Sequence, residues 1–167
     1  MSTYLLDTGL LLGHIRGAGY ADHAERRYAL SQPPNVSLVS VVSKGEIYSL
    51  AIQFNWGEQK KQALDNLLRR VPVVDINTDR IIQRYADVDA YSQGKDRTKP
   101  LPSGMSSRNM GKNDLWIAAT ASVLNATLVT TDTDFDHLRC IPKRHLYKPE
   151  VDAGDGLVKQ RKGVGSL

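Results

Sequence analysis

A chain of 167 residues and 18.5 kDa, 41% hydrophobic and 24% charged, has the length and composition of one globular domain with a sizeable core. Those values exclude a wholly disordered chain, and the single cysteine, Cys140, excludes an internal disulfide framework and favours a reducing compartment. A formal net charge of +4 and a sequence pI near 9.2 favour polyanionic partners, although such a charge can equally serve solubility.

Thr3-Tyr4-Leu5-Leu6 is a short apolar run closed by Asp7, and it reads as a buried strand. The apolar stretch from Tyr4 to Leu12 is interrupted by Asp7 and no Lys or Arg precedes it. It is expected to be neither a signal peptide nor a membrane span, which makes the expected location cytoplasmic. Thr8 to Arg16 places Leu10, Leu11 and Ile15 at helical spacing, with Gly17 and Gly19 as stops. A second helix is predicted over Ala21–Leu30, ended by Ser31-Gln32-Pro33-Pro34, and a second strand over Val36–Val39.

Helices follow over about Ser40–Phe54 and Gly57–Arg70. Val71–Ile76 reads as a third strand that tolerates Pro72 only near its start. Asn77 or Thr78 is expected to cap a helix over Asp79–Ser92, and Asn113 a strongly apolar one over Asp114–Leu124. Between them Gln93–Lys112 is rich in Gly, Pro, Ser and basic residues and shows no periodicity. Thr127–Thr130 is a fourth strand, and the segment around Leu146 suggests a short fifth. No internal repeat is present. One domain over residues 1–149 is expected, with a loose tail over 150–167. Strands alternating with helices argue for a mainly parallel α/β sheet covered on both faces, whose ligands bind outside the carboxyl ends of the strands.

Four acids fall at or near that edge: Asp7, Glu46, Asp114 and Asp132. Each has an ordinary explanation taken alone. Asp7 could cap the following helix, Glu46 could complete a capping box with Ser43, Asp114 could complement a helix dipole, and Asp132 could make a turn with Thr130 and Thr131. Together they are harder to dismiss, because two like charges 4 Å apart near a surface repel by about 4 kcal/mol. A cation would offset that cost, and hard oxygen donors with few His or Cys nearby point to Mg²⁺ or Mn²⁺. Such ions act on phosphodiesters by activating water and neutralising phosphoryl oxygens. The helix before the long loop descends away from the active edge, and the Gln93–Lys112 segment is long enough to return to it.

Tyr4-Leu5-Leu6-Asp7-Thr8, then Glu46, then Asn113-Asp114-Leu115-Trp116-Ile117-Ala118-Ala119, then Leu128-Val129-Thr130-Thr131-Asp132-Thr133-Asp134-Phe135 together resemble the PIN-domain nucleases, and within them the VapC-type toxins of toxin–antitoxin pairs. The resemblance spans roughly Met1–Tyr147. It implies a three-layer α/β/α fold with a four- to five-stranded, mainly parallel sheet. It also implies an Mg²⁺- or Mn²⁺-dependent endoribonuclease that cuts structured RNA such as tRNA or rRNA, is silenced by a cognate antitoxin and forms a homodimer. Asp7, Glu46, Asp114 and Asp132 would be the acidic quartet, Thr130 would support it, and Asp134 would be an accessory metal ligand. The chemistry would be in-line attack by an activated water, without a covalent intermediate. The sequence departs from the pattern at Gly9, where a polar residue is common, and in the length of the Gln93–Lys112 loop.

Competing motifs are weaker. Asp132-Thr133-Asp134 resembles the Asp-x-Asp of haloacid-dehalogenase phosphatases but lies near the wrong end of the chain. As an EF-hand opening it fails, with His137 at the Gly place and Lys143 at the Glu place. His137, Cys140 and His145 would make only a partial zinc site, and His137 reads as a surface residue. Lys95, Arg97, Lys99, Arg108 and Lys112 could be a solvated loop or an RNA contact. Tyr28, Leu50 and Trp56 are either core residues or positions offered to an antitoxin. The non-enzymatic alternative is an RNA- or protein-binding module of the same fold that does not cut.

Overall fold

The computed structural model describes residues 1–140 and 146–147. The domain boundary at residue 149, the tail from Glu150 and His145 lie outside the described residues. Five strands form one sheet: β1 (Thr3–Leu6), β2 (Val36–Ser40), β3 (Val73–Val74), β4 (Thr127–Val129) and β5 (Leu146–Tyr147). They lie in the order β3-β2-β1-β4-β5, and every neighbouring pair is parallel. Six helices connect them: α1 (Thr8–Arg16), α2 (Gly19–Tyr28), α3 (Val41–Gln53), α4 (Glu58–Arg70), α5 (Asp79–Ser92) and α6 (Lys112–Val123). A 3₁₀ segment, Thr133–Cys140, follows β4.

Side chains alternate across a strand, so a sheet covered on both faces must feed two cores. Tyr4 and Leu6 of β1 and Val129 of β4 enter one core with Leu10, Leu11, Ala24, Ile47 and Leu64 from α1 to α4. Leu5 and Leu128 point the other way, into a core with Val88, Leu115, Ile117 and Phe135 from α5, α6 and the 3₁₀ segment. Helices on the two faces and the sheet between them make the three layers expected.

Several local readings are corrected. The second helix runs Gly19–Tyr28, two residues earlier than predicted: Gly19 opens it, and Ala29 (φ 49°) ends it in the left-handed region. The third strand shrinks to two residues at the sheet edge. Pro72 has no N–H for the ladder, although its carbonyl still accepts from Val39 N at 3.0 Å. Thr78, rather than Asn77, caps α5 through Ile81 N. Trp56 is buried in the first core and Tyr28 and Leu50 pack against that core, so core packing accounts for all three; the exposed apolar side chains of α3 and its C-terminal end are Val41, Tyr48, Ile52 and Phe54. His137 is also buried rather than at the surface, 3% exposed, with Nε2 2.8 Å from the Ser92 hydroxyl. Among the described residues no helix is long and apolar enough to cross a membrane.

Candidate active site

The chain order around the sheet brings four remote segments together. β1 and β4 are neighbours, so the residues that follow them, Asp7 and Thr130-Thr131-Asp132, emerge side by side. Asp7 N still donates to Val129 O at 3.1 Å, continuing the ladder by one residue before α1 begins. Asp7 caps α1, its Oδ1 accepting from Thr8 N at 2.7 Å, and its Oδ2 accepts from the Thr130 hydroxyl at 2.7 Å. The same Thr130 oxygen accepts from Asp132 N at 2.9 Å. One buried hydroxyl thereby ties the turn carrying Asp132 to the carboxylate ending β1. Asp132 in turn accepts from Asp134 N at 2.9 Å, opening the 3₁₀ segment. The ordinary roles as cap and turn former are thus real for Asp7 and Asp132, and they coexist with convergence.

Glu46 arrives differently. Ser40 caps α3 by accepting from Val42 N, so Glu46 lies in the second turn and the expected capping box with Ser43 does not form. Its carboxylate instead reaches outward between two neutral donors. Thr8 Oγ1 donates to Oε2 at 2.5 Å, and Asn113 Nδ2 donates to Oε1 at 2.8 Å. Asn113 is therefore not the cap of α6; the helix begins at Lys112 with Gly111 before it, and the amide is free to hold Glu46. Thr8 and Asn113 are the two site residues whose roles the sequence did not disclose. Both stand directly beside an acid of the quartet, which is the one local signal that could have marked them.

Asp114, in the first turn of α6, completes the group. A Cβ on Gly111 would lie 2.7 Å from Asp114 Oδ2, so only glycine leaves that carboxylate its place. At Gly9, the departure noted in the first motif, a Cβ would lie 3.2 Å from Thr131 Oγ1 and 3.6 Å from Asp7 Oδ2, so the missing side chain leaves space at the acids.

The electrostatics follow from this crowding. Burial raises the Asp114 pKa to about 7, and the charges of Asp7, Asp132, Glu46 and Asp134 push in the same direction. Burial likewise raises Asp7, with Asp132 and Glu46 adding to the effect and its hydrogen bonds from Thr130 and Thr8 opposing it. The structure therefore brings Asp7, Glu46, Asp132 and Asp134 all within electrostatic reach of Asp114.

Among the described residues no three His, Cys, Asp or Glu side chains form a ready-made metal cage. Electrostatic reach is longer than ligation distance, so the two observations are compatible. Mg²⁺ takes only one or two carboxylates directly, and a set of hard carboxylate oxygens fits that habit. The donor set, all carboxylate oxygens, would therefore suit Mg²⁺ or Mn²⁺.

Comparison with known proteins agrees with this fold. The family described as PIN domain matches residues 4–139, and the chain belongs to that family. No curated protein matches the sequence. The fold is similar to that of VapBC2 from Rickettsia felis, bound to a DNA fragment from its promoter, with 24% identity over 87% of this chain and 98% of that chain and a TM-score of 0.65. It is also similar to VapBC-1 from nontypeable Haemophilus influenzae, with 25% identity over 82% and 92% and a TM-score of 0.60. A third is the sarcin–ricin loop cleaving toxin VapC20 of Mycobacterium tuberculosis, with 19% identity over 81% and 94% and a TM-score of 0.54. The solved structures similar to this one are thus VapBC toxin–antitoxin complexes and a VapC toxin, and the family shown for this chain is the PIN domain.

Proposed function

We propose that this protein is an Mg²⁺- or Mn²⁺-dependent endoribonuclease toxin that cuts structured RNA such as tRNA or rRNA and is neutralised by a cognate antitoxin, acting as a homodimer in the cytoplasm. The observation that carries the reading is the convergence of remote acids at one edge of the sheet, where Asp7 and the Asp132 turn share the Thr130 hydroxyl and Glu46 is held by Thr8 and by Asn113, the neighbour of Asp114. Folding gathers such a cluster at a cost, and a divalent cation removes that cost.

Asp7, Glu46, Asp114 and Asp132 would hold the ion, with Asp134 at the margin. When bound, it supplies an activated water and neutralises charge on the phosphoryl oxygens. The chain's own contribution is preorganisation. Thr130 holds Asp7 and the Asp132 turn in one register, while Thr8 and Asn113 fix both oxygens of Glu46. No side chain in the cluster offers itself as a nucleophile, so no covalent intermediate is expected.

The experiment is cleavage of total tRNA and rRNA by purified protein with Mg²⁺, with Mn²⁺, and with EDTA. Cleavage with either metal and none with EDTA is expected. Intact RNA under all conditions, with binding unaffected by metal, would leave a non-cutting binding module instead. Asn113→Ala offers a finer check. It removes one donor from Glu46 at an exposed position, so the fold should be unaffected. Outer partners of metal ligands typically contribute about 10–100-fold. Cleavage should fall by about that factor, and Mn²⁺ affinity, read by calorimetry, should weaken with it; unchanged affinity and rate would remove Asn113 from the site.

A further inference from the structure

The segment Gln93–Lys112 contains five of the chain's 22 Lys and Arg and one of its 18 Asp and Glu. It therefore carries +4, equal to the formal net charge of the whole protein, and the other residues balance to zero. A basic pI that looked like a diffuse property is a property of one loop.

That loop is built into the fold rather than appended to it. Arg108 N donates to Ser92 O at 2.7 Å, closing the loop at its base. Met110 is buried in the second core and Leu101 packs against it. Ser92 Oγ meets Met110 Sδ at 3.4 Å and His137 Nε2 at 2.8 Å, which pins both ends of the loop to the 3₁₀ segment. Arg108 Nη1 donates to Thr133 O at 3.3 Å, directly beside Asp132 and Asp134. The last residue of the loop, Lys112, begins the helix that carries Asn113 and Asp114.

The charges stay at the surface, with Lys95 Nζ and Arg108 Nη1 donating only to the neutral oxygens of Gln93 and Thr133. Lys95, Arg97, Lys99, Arg108 and Lys112 are all exposed, and none forms an ion pair among the described residues. The loop's single acid, Asp96, is engaged locally, its Oδ1 accepting from Thr98 N, Thr98 Oγ1 and Lys99 N. Unpaired, surface-held cations next to an anionic cluster are poorly placed for stability and well placed to bind a polyanion that must approach that cluster.

We propose that the 93–112 loop is the surface that grips the RNA backbone and delivers it to the acidic cluster. The assignment rests on the ribonuclease reading above for the identity of the polyanion. Lys95, Arg97 and Lys99 reach phosphates outside the cutting point, and Arg108 and Lys112 those next to it.

The test replaces Lys95, Arg97 and Lys99 together by Gln, with Lys60, Arg69 and Arg70 of α4 replaced in a control of equal charge change. Binding of a labelled tRNA stem-loop is measured in EDTA from 50 to 200 mM salt, so that no cutting occurs. The loop variant should bind at least tenfold more weakly at low salt. The slope of log affinity against log salt should also become shallower by about 2, since each phosphate contact contributes roughly 0.7–0.9. The control should match the wild type, as should the thermal midpoint and Mn²⁺ affinity of the loop variant. With Mg²⁺ present, KM should rise while kcat at saturating RNA stays constant. An unchanged slope, or an equal loss in the α4 control, overturns the assignment. So does a loop variant that loses affinity for polyglutamate but none for RNA, which would assign the loop to an acidic protein. Wild-type protein that binds RNA through this loop and never cuts it would overturn the nuclease reading alone.

Discussion

Asp7→Asn is expected to lower RNA cleavage by roughly a thousandfold while leaving the protein folded. The substitution preserves shape. Asn accepts from Thr8 N as Asp does and is an equally good helix cap, so α1 keeps its start. What disappears is one negative charge at the most buried position of the cluster, 6% exposed. An ion held by few direct carboxylates depends heavily on each of them, and several kcal/mol of charge stabilisation correspond to about three powers of ten in rate. Asp114→Asn should behave in the same way in the cleavage assay. The comparison is made on purified proteins with matching thermal midpoints, and a host nuclease carried through purification would cut equally in both preparations. Undiminished cleavage by folded Asp7→Asn would refute the assignment of the site.

The reach of the sequence can be judged residue by residue. β1 and α5 have the predicted limits, because Leu5-Leu6 before Asp7 and the Ile81, Tyr85, Val88 spacing are local signals that tertiary packing only reinforces. The alternation of Tyr4, Leu5 and Leu6 between two cores was implicit in a strand covered on both faces. The acids were legible as a set because a parallel sheet sends its strand ends to one edge, so their meeting needed only the topology. The hydrogen bonds between them were not. Asn113 and Glu46 are 67 residues apart, and nothing in a local reading separates an Asn that caps a helix from one that reaches across to another. The same holds for His137. Its neighbours Asp136 and Arg139 suggest a surface, and only its contact with Ser92, 45 residues earlier, explains its burial.

Without metal, the acidic cluster should cost the protein stability as the pH rises from about 4 to 7. Asp114 has an ordinary pKa of 3.8 and is held at about 7 in the folded state. Between those values the folded chain binds more protons than the unfolded one, so stability falls with pH across that window and stays low above it. Asp7, also raised, contributes with the same sign. Since Asp114 is only partly buried, solvent screening reduces the effect to about 1–2 kcal/mol, a few degrees in Tm for a chain of this size. Removing the charge removes the cost. Asp114→Asn should therefore be more heat-resistant than the wild type at pH 8, and its advantage over the wild type should shrink as the pH falls to 5, although it does not cut RNA. Added Mg²⁺ should restore the wild type at pH 8 by neutralising the cluster, and should do little for Asp114→Asn. Calorimetric scans at pH 5 and pH 8, with and without Mg²⁺, measure all four terms. Half-buried His14 and buried His137, both lowered, act with the opposite sign, so the test is the difference between the two proteins: a Tm gap between wild type and Asp114→Asn that does not widen from pH 5 to pH 8 without metal would mean that the Asp114 charge does not burden the fold.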